Sequence, residues 1–147
     1  MTDNDPVLAV VQRVLPAEPA DVYAEWIDPD ALREWMCPRP AYATAIELDP
    51  QVGGDLRFDI DDEGARMVVT GRFLVLDPPN RIQFTWSCST WPAAATESVV
   101  TVTLEPHQDD ATLMTICHAA LPADLVDNHE RGWALIAQQF ELRLRKR

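Results

Sequence analysis

The sequence predicts an α+β fold: a curved antiparallel β-sheet wrapped around a long C-terminal α-helix, with two short helices between the first two strands. Three observations carry this. Residues 123–147 repeat apolar side chains at helical spacing, over roughly 37 Å at 1.5 Å per residue. Six segments between residues 43 and 120 alternate apolar and polar residues with period two. The connections between those segments are short and rich in Pro, Gly and Asp, which implies antiparallel neighbours.

Taken in order, residues 1–6 are expected to be a flexible N-terminus and residues 7–147 a single domain. Residues 7–15 are rich in β-branched side chains and end at Pro16, the pattern of a strand. Pro19 suits the first position of a helix, and Val22, Tyr23 and Trp26 form its apolar stripe. Asp28-Pro29 repeats the signal, with Asp28 as N-cap of a second helix carrying Leu32, Trp35 and Met36. Pro38 stops that helix.

From residue 43 the period changes to two. The inward sets are Ile46 and Leu48; Leu56, Phe58 and Ile60; Met67, Val69, Gly71, Phe73 and Val75; and Ile82, Phe84, Trp86 and Cys88. Gly53, Gly54 and Gly71 are candidate points of bending. Residues 97–105 and 111–120 are the last strands, and Pro122 introduces the long helix. On that helix Leu125, Val126, His129, Trp133, Ile136, Ala137, Phe140 and Leu144 share one face. It is expected to be the element that covers the apolar side of the sheet.

Composition narrows the function classes. Apolar residues make up 47% of the 147, enough to build a full core. The net charge of −12 argues against a general nucleic-acid binder, because phosphate contacts need Lys and Arg. The basic run Arg143, Arg145, Lys146 and Arg147 sits where a helix C-terminus favours cations. No run of 18 apolar residues predicts a membrane span, and Met1–Pro6 lacks the pattern of a signal peptide, so the expected compartment is the cytoplasm. Cys37, Cys88 and Cys117 form no CxxC pair and read as small apolar residues.

Several stretches together resemble a known family. They are Pro19-Ala-Asp-Val-Tyr-Ala-Glu-Trp26, Asp28-Pro29 through Trp35, Val52-Gly53-Gly54, Gly71 through Ile82, Phe84-Thr-Trp86, Thr112 through His118, and His129-Glu-Arg-Gly-Trp133. In this order they are similar to the START/SRPBCC-like helix-grip superfamily, and within it to the branch homologous to the activator of the heat-shock-protein-90 ATPase. The resemblance implies the fold deduced above and a small-molecule-binding protein without shared catalytic residues. A stress-related or chaperone-interaction role is a further implication. The activator itself has a separate domain ahead of this one, and none is expected within these 147 residues.

The candidate ligand cavity lies between sheet and helix. Its expected lining is Trp35, Phe58, Met67, Phe73, Phe84, Trp86, Met114, Ile116, His118, His129, Trp133, Ile136 and Phe140. His118 shares its face with Met114 and Ile116, and His129 lies on the inner arc of the helix, so the two are expected to meet near its start. Two readings stay open for them. They orient a ligand or act as acid and base, as in a cyclase or aromatase, or they hydrogen-bond backbone groups and lock the helix start. Two histidines without further ligands predict no metal site, and no cofactor fingerprint is present. Ser87, Ser89 and Ser98 have no evident His-acid partners. Arg13 shares a face with Val11 and Leu15, so it either pairs with a carboxylate at the core rim or extends to solvent. The expected partner is a small hydrophobic molecule, bound by a monomer or homodimer, with no nucleic acid and no membrane insertion.

Overall fold

The structure is a computed structural model that describes residues 8–92 and 97–146. The expectation for residues 1–6, Val7 of the first strand and Arg147 of the basic run lie outside the described residues. The chain runs β1 (Leu8–Leu15), α1 (Pro19–Trp26), α2 (Pro29–Trp35), β2 (Tyr42–Leu48), β3 (Asp55–Asp62), β4 (Ala65–Asp77), β5 (Arg81–Cys88), β6 (Ser98–His107), β7 (Ala111–Ala119) and α3 (Val126–Arg145). The strands form one antiparallel sheet in the order β1-β7-β6-β5-β4-β3-β2. Consecutive strands from β2 to β7 are neighbours, as short connections require. The α1–α2 segment carries the chain from one edge of the sheet to the other.

Asp28 caps α2 by accepting from the Asp30 amide at 3.0 Å, and Pro29 opens the helix. The helix ends at Met36, whose backbone is extended, and Cys37 follows at φ 78°. A short 3-10 turn, Ala123–Leu125, precedes α3, so the helix proper is shorter than the apolar pattern suggested. Its buried stripe is Trp133, Ile136, Ala137, Phe140 and Leu144, at helical spacing.

The sheet does not close by pleat alone. At Gly71 a Cβ would collide with the Thr85 carbonyl oxygen, so glycine lets β4 and β5 draw together there. Two residues on, β4 carries an irregularity: Phe73 pairs with Phe84, but Val75 pairs with Gln83 and Leu76 with Ile82. The additional residue turns Leu76 toward the core in place of Val75, correcting the simple alternation.

The cover of the sheet is likewise more divided than the pattern suggested. α3 lies closest to β1 and α2, while α2 also meets β2 and α1 meets β6. Trp35 of α2 stacks on Phe140 of α3 at 3.8 Å and 3°, and Trp26 of α1 meets Trp35 edge-on at 4.9 Å. The two short helices therefore fill one half of the concave side, and α3 alone spans the other.

Polar contacts fix this arrangement. Gln139 of α3 donates its side-chain amide to the carbonyls of Trp35 (2.9 Å) and Cys37 (2.8 Å), and accepts from the Arg39 amide (2.9 Å). It thereby satisfies backbone groups left by the end of α2. Arg13 pairs with Glu141 at 2.7 Å, choosing the carboxylate over solvent. Arg143 pairs with the buried Glu25 at 2.8 Å, and Arg145 with Glu141 at 2.7 Å. Two members of the basic run thus also tie the helix to its neighbours and to itself.

Candidate functional site

Where α3 alone spans the sheet, a cavity of about 1070 Å³ remains. One wall is the N-terminal half of α3 with the turn before it, including Leu125, His129, Gly132, Trp133 and Ile136. The opposite wall is Ile60 of β3, Met67 and Val69 of β4, and Trp86 and Cys88 of β5. Met36, Cys37, Pro38 and Ala41 close one side, and Trp91, Ala120, Leu121 and Pro122 another. Exposed Thr90, Pro92, Asp124, Asn128 and Arg131 form the rim, so the cavity reaches solvent there.

Of the thirteen residues expected to line a cavity, Met67, Trp86, His129, Trp133 and Ile136 do so. Trp35, Phe58, Phe73, Phe84, Met114, Ile116, His118 and Phe140 do not; they are packed into the closed part of the interior. The physical reason is the position of α1 and α2, whose tryptophans occupy the space next to Phe84 and Phe140. Lining residues outside the expected set include Met36, Ile60, Val69, Cys88, Trp91 and Gly132. Ile60 and Val69 carried a usable signal, since alternation already turned them inward. Trp91 carried none, because it lies in a loop without periodicity.

The two histidines meet, with ring centroids 5.2 Å apart, but their chemistry differs. His118 is fully buried. Its Nδ1 accepts from the Trp133 indole N–H at 3.0 Å, and its Nε2 lies 2.7 Å from Ser98 Oγ. The Ser98 hydroxyl donates its one hydrogen to the Trp86 carbonyl at 2.8 Å. Toward His118 it therefore accepts, which assigns the imidazole proton to Nε2. The relay runs Trp133 to His118 to Ser98 to Trp86 and uses both ring nitrogens. Burial, with His129 adding a smaller effect, holds the His118 pKa down at about 3. A neutral ring with no unused nitrogen is a poor acid or base. Its role here is to tie α3 to β5, β6 and β7.

Ser98 was thus given no histidine partner by the sequence and has one. The direction of its proton still excludes a nucleophile activated by His118, because that proton goes to a carbonyl. The alternation of β6 held the signal: Ser98 stands on the same face as buried Val100 and Val102.

His129 is only half buried, and its Nδ1–H donates to the Leu125 carbonyl at 3.0 Å. This bond leaves the lone pair on Nε2, on the other side of the ring. Burial lowers its pKa, with the bond to Leu125 opposing, so the ring is neutral near pH 7. Trp91 packs edge-on against it at 5.8 Å. Cys37 also lines the cavity, but burial pushes its thiol up to about 12, well away from a reactive thiolate. Among the described residues, no group of three or more His, Cys, Asp or Glu could hold a metal ion, and no helix is long and apolar enough to cross a membrane.

The family model described as AHSA1, activator of Hsp90 ATPase homolog 1-like protein, matches residues 16–145. The chain belongs to the AHSA1 family. The matched region contains every described residue that lines the cavity. Among solved structures, a protein from Chromobacterium violaceum is 28% identical with a TM-score of 0.81, covering 92% of this chain and 95% of that one. A protein from Arthrobacter aurescens has a TM-score of 0.84 at 21% identity, covering 96% and 87%. A structure described as an HSP90 activator from Plasmodium falciparum has a TM-score of 0.75 at 19% identity, covering 93% and 95%. The last two likenesses show the helix-grip fold alone. No curated protein sequence matches the chain.

Proposed function

We propose that this domain binds a small apolar or aromatic molecule in the cavity between the N-terminal half of α3 and strands β3 to β5. The observation that carries the reading is a cavity of about 1070 Å³ with tryptophan, methionine and aliphatic walls, set beside a closely packed aromatic core. Protein ligand sites commonly span roughly 300–1,000 Å³ and are mostly apolar with a few polar groups. Gly132 supports the same reading. It is a glycine inside a helix, facing the cavity, where a Cβ would meet only Pro38 at 3.8 Å. Alanine there would favour the helix, so the missing side chain keeps room at a cost in stability.

The family description also suggests a chaperone partner. That reading asks for a filled interior and one contiguous exposed apolar patch. The open cavity favours the small molecule. A catalytic version of the same site would run through His129, because His118 has both nitrogens engaged.

The test is binding of a neutral fluorescent probe, Nile red, to the intact protein and to Gly132→Leu, whose side chain would enter the cavity. The expected result is saturable emission enhancement with the natural sequence and at least a tenfold weaker response from the variant. A folded Gly132→Leu that binds Nile red as well as the natural sequence would contradict the location. Stimulation of an Hsp90 ATPase by this domain, with no probe or ligand bound under any condition, would favour the chaperone reading instead.

A further inference from the structure

The polar groups of this cavity are unequal, and their arrangement says what kind of ligand end they suit. The hydrogen bond from His129 Nδ1–H to the Leu125 carbonyl fixes the tautomer, leaving Nε2 as an acceptor. Among the described residues no hydrogen bond reaches that nitrogen. The half-buried ring lines the cavity beside Trp91, so a ligand donor at Nε2 would take the place of water there. A neutral imidazole nitrogen accepts from O–H or N–H and repels a carboxylate oxygen, whose lone pairs face its own.

The charges around the cavity act in the same direction. Its described lining carries Asp62 and Asp124 against the single cation Arg131. The whole chain carries −12, so an anion meets an unfavourable field on approach as well. The faces of Trp86, Trp91 and Trp133 suit an aromatic or a cation, and the Trp86 indole N–H, buried and without a hydrogen-bond partner, is neutral and brings no charge to hold an anion.

Resting on the reading of the cavity as a ligand site, we infer that its ligand carries a hydrogen-bond donor, a hydroxyl or an amine, on an apolar body. The donor bonds His129 Nε2, and carboxylates of the same shape are rejected.

The experiment compares four molecules on one skeleton by calorimetric titration of the intact protein at pH 7: 2-naphthol, 2-naphthylmethylamine, 2-naphthoate and 2-methylnaphthalene. Naphthol and the amine are expected to bind about tenfold or more tightly than naphthoate, and about fivefold more tightly than methylnaphthalene. In His129→Phe the advantage of naphthol over methylnaphthalene should vanish while methylnaphthalene keeps its affinity. In Asp62→Asn/Asp124→Asn, which changes exposed or half-buried groups, the deficit of naphthoate should shrink about two- to fivefold. Naphthoate binding as tightly as naphthol, or a naphthol advantage that survives His129→Phe, would overturn the inference and leave the cavity reading standing. Failure of all four to bind would overturn the cavity reading itself.

Discussion

Trp133 donates its indole N–H to Nδ1 of His118, 3.0 Å away, and so binds the central turn of α3 to the last strand of the sheet. The bond exists only while His118 is neutral. Protonating Nδ1 would place two donors nose to nose in a site without solvent. The folded pKa of about 3 lies below the ordinary value of 6.5. Unfolded chains therefore take up a proton as pH falls through 6.5 while the folded ring does not, and stability drops. We expect full stability above pH 7 and a decline from about pH 6.5 downward, approaching 1.4 kcal/mol per pH unit from this group. His129, also shifted down, adds in the same sense. Urea denaturation at half-unit intervals from pH 7.5 to 4.5 measures the slope. It should flatten in His118→Phe, and it begins above the range where carboxylates titrate.

The relay should also respond to substitution. Ser98→Ala removes the acceptor for His118 Nε2–H and the donor to the Trp86 carbonyl, both in a buried site. A loss of about 1–3 kcal/mol is expected at pH 7. His118→Ala removes the hub, strands the Trp133 and Ser98 groups and opens a void, with an expected loss above about 3 kcal/mol. Urea midpoints at constant slope check both.

Two glycines should give opposite results. Gly71→Ala drives a Cβ into the Thr85 carbonyl oxygen, and that atom is backbone, so the strands must part. A loss of several kcal/mol or failure to fold is expected. Gly132→Ala meets nothing closer than 3.8 Å and gains helix propensity. Its thermal midpoint should rise, by about 0.5–1 kcal/mol in stability. A Gly132→Ala variant less stable than the natural sequence would show that the helix is strained where its geometry indicates it is not.

Gln139 is expected to matter for the placement of α2. Gln139→Ala leaves two carbonyls and one amide without their partner, an expected loss of about 2 kcal/mol. Gln139→Glu keeps the acceptor for Arg39 but points a carboxylate at the Trp35 and Cys37 carbonyls. It should be less stable at pH 7 than Gln139→Ala, as read by chemical denaturation.

Much of this architecture was legible because it is periodic. Trp133, Ile136, Phe140 and Leu144 repeat at helical spacing, and Phe84 and Trp86 alternate with Gln83 and Thr85, so face and partner followed from geometry. The alternation that turned His118 inward also placed it near His129. The location of the cavity was not legible. It depends on where Trp26 and Trp35 come to rest after two short helices have folded back, a tertiary outcome that no local spacing encodes. The irregularity after Phe73 left no mark either, since one additional strand residue looks like any other. The roles of the histidines were decided by partners: Ser98 and Trp133 engaged one ring fully, and the backbone carbonyl of Leu125 left the other with an open nitrogen.

The central claim is that a small guest occupies one particular end of the interior. Methyl carbon NMR of the intact protein, titrated with 2-methylnaphthalene, tests it residue by residue. Ile60, Met67 and Ile136 line the cavity, while Met114 and Ile116 lie in the packed part of the core. The predicted result is saturable shifts of the first three methyl signals with the last two unmoved. No shift at any of the five, or equal shifts in both groups, would contradict the account.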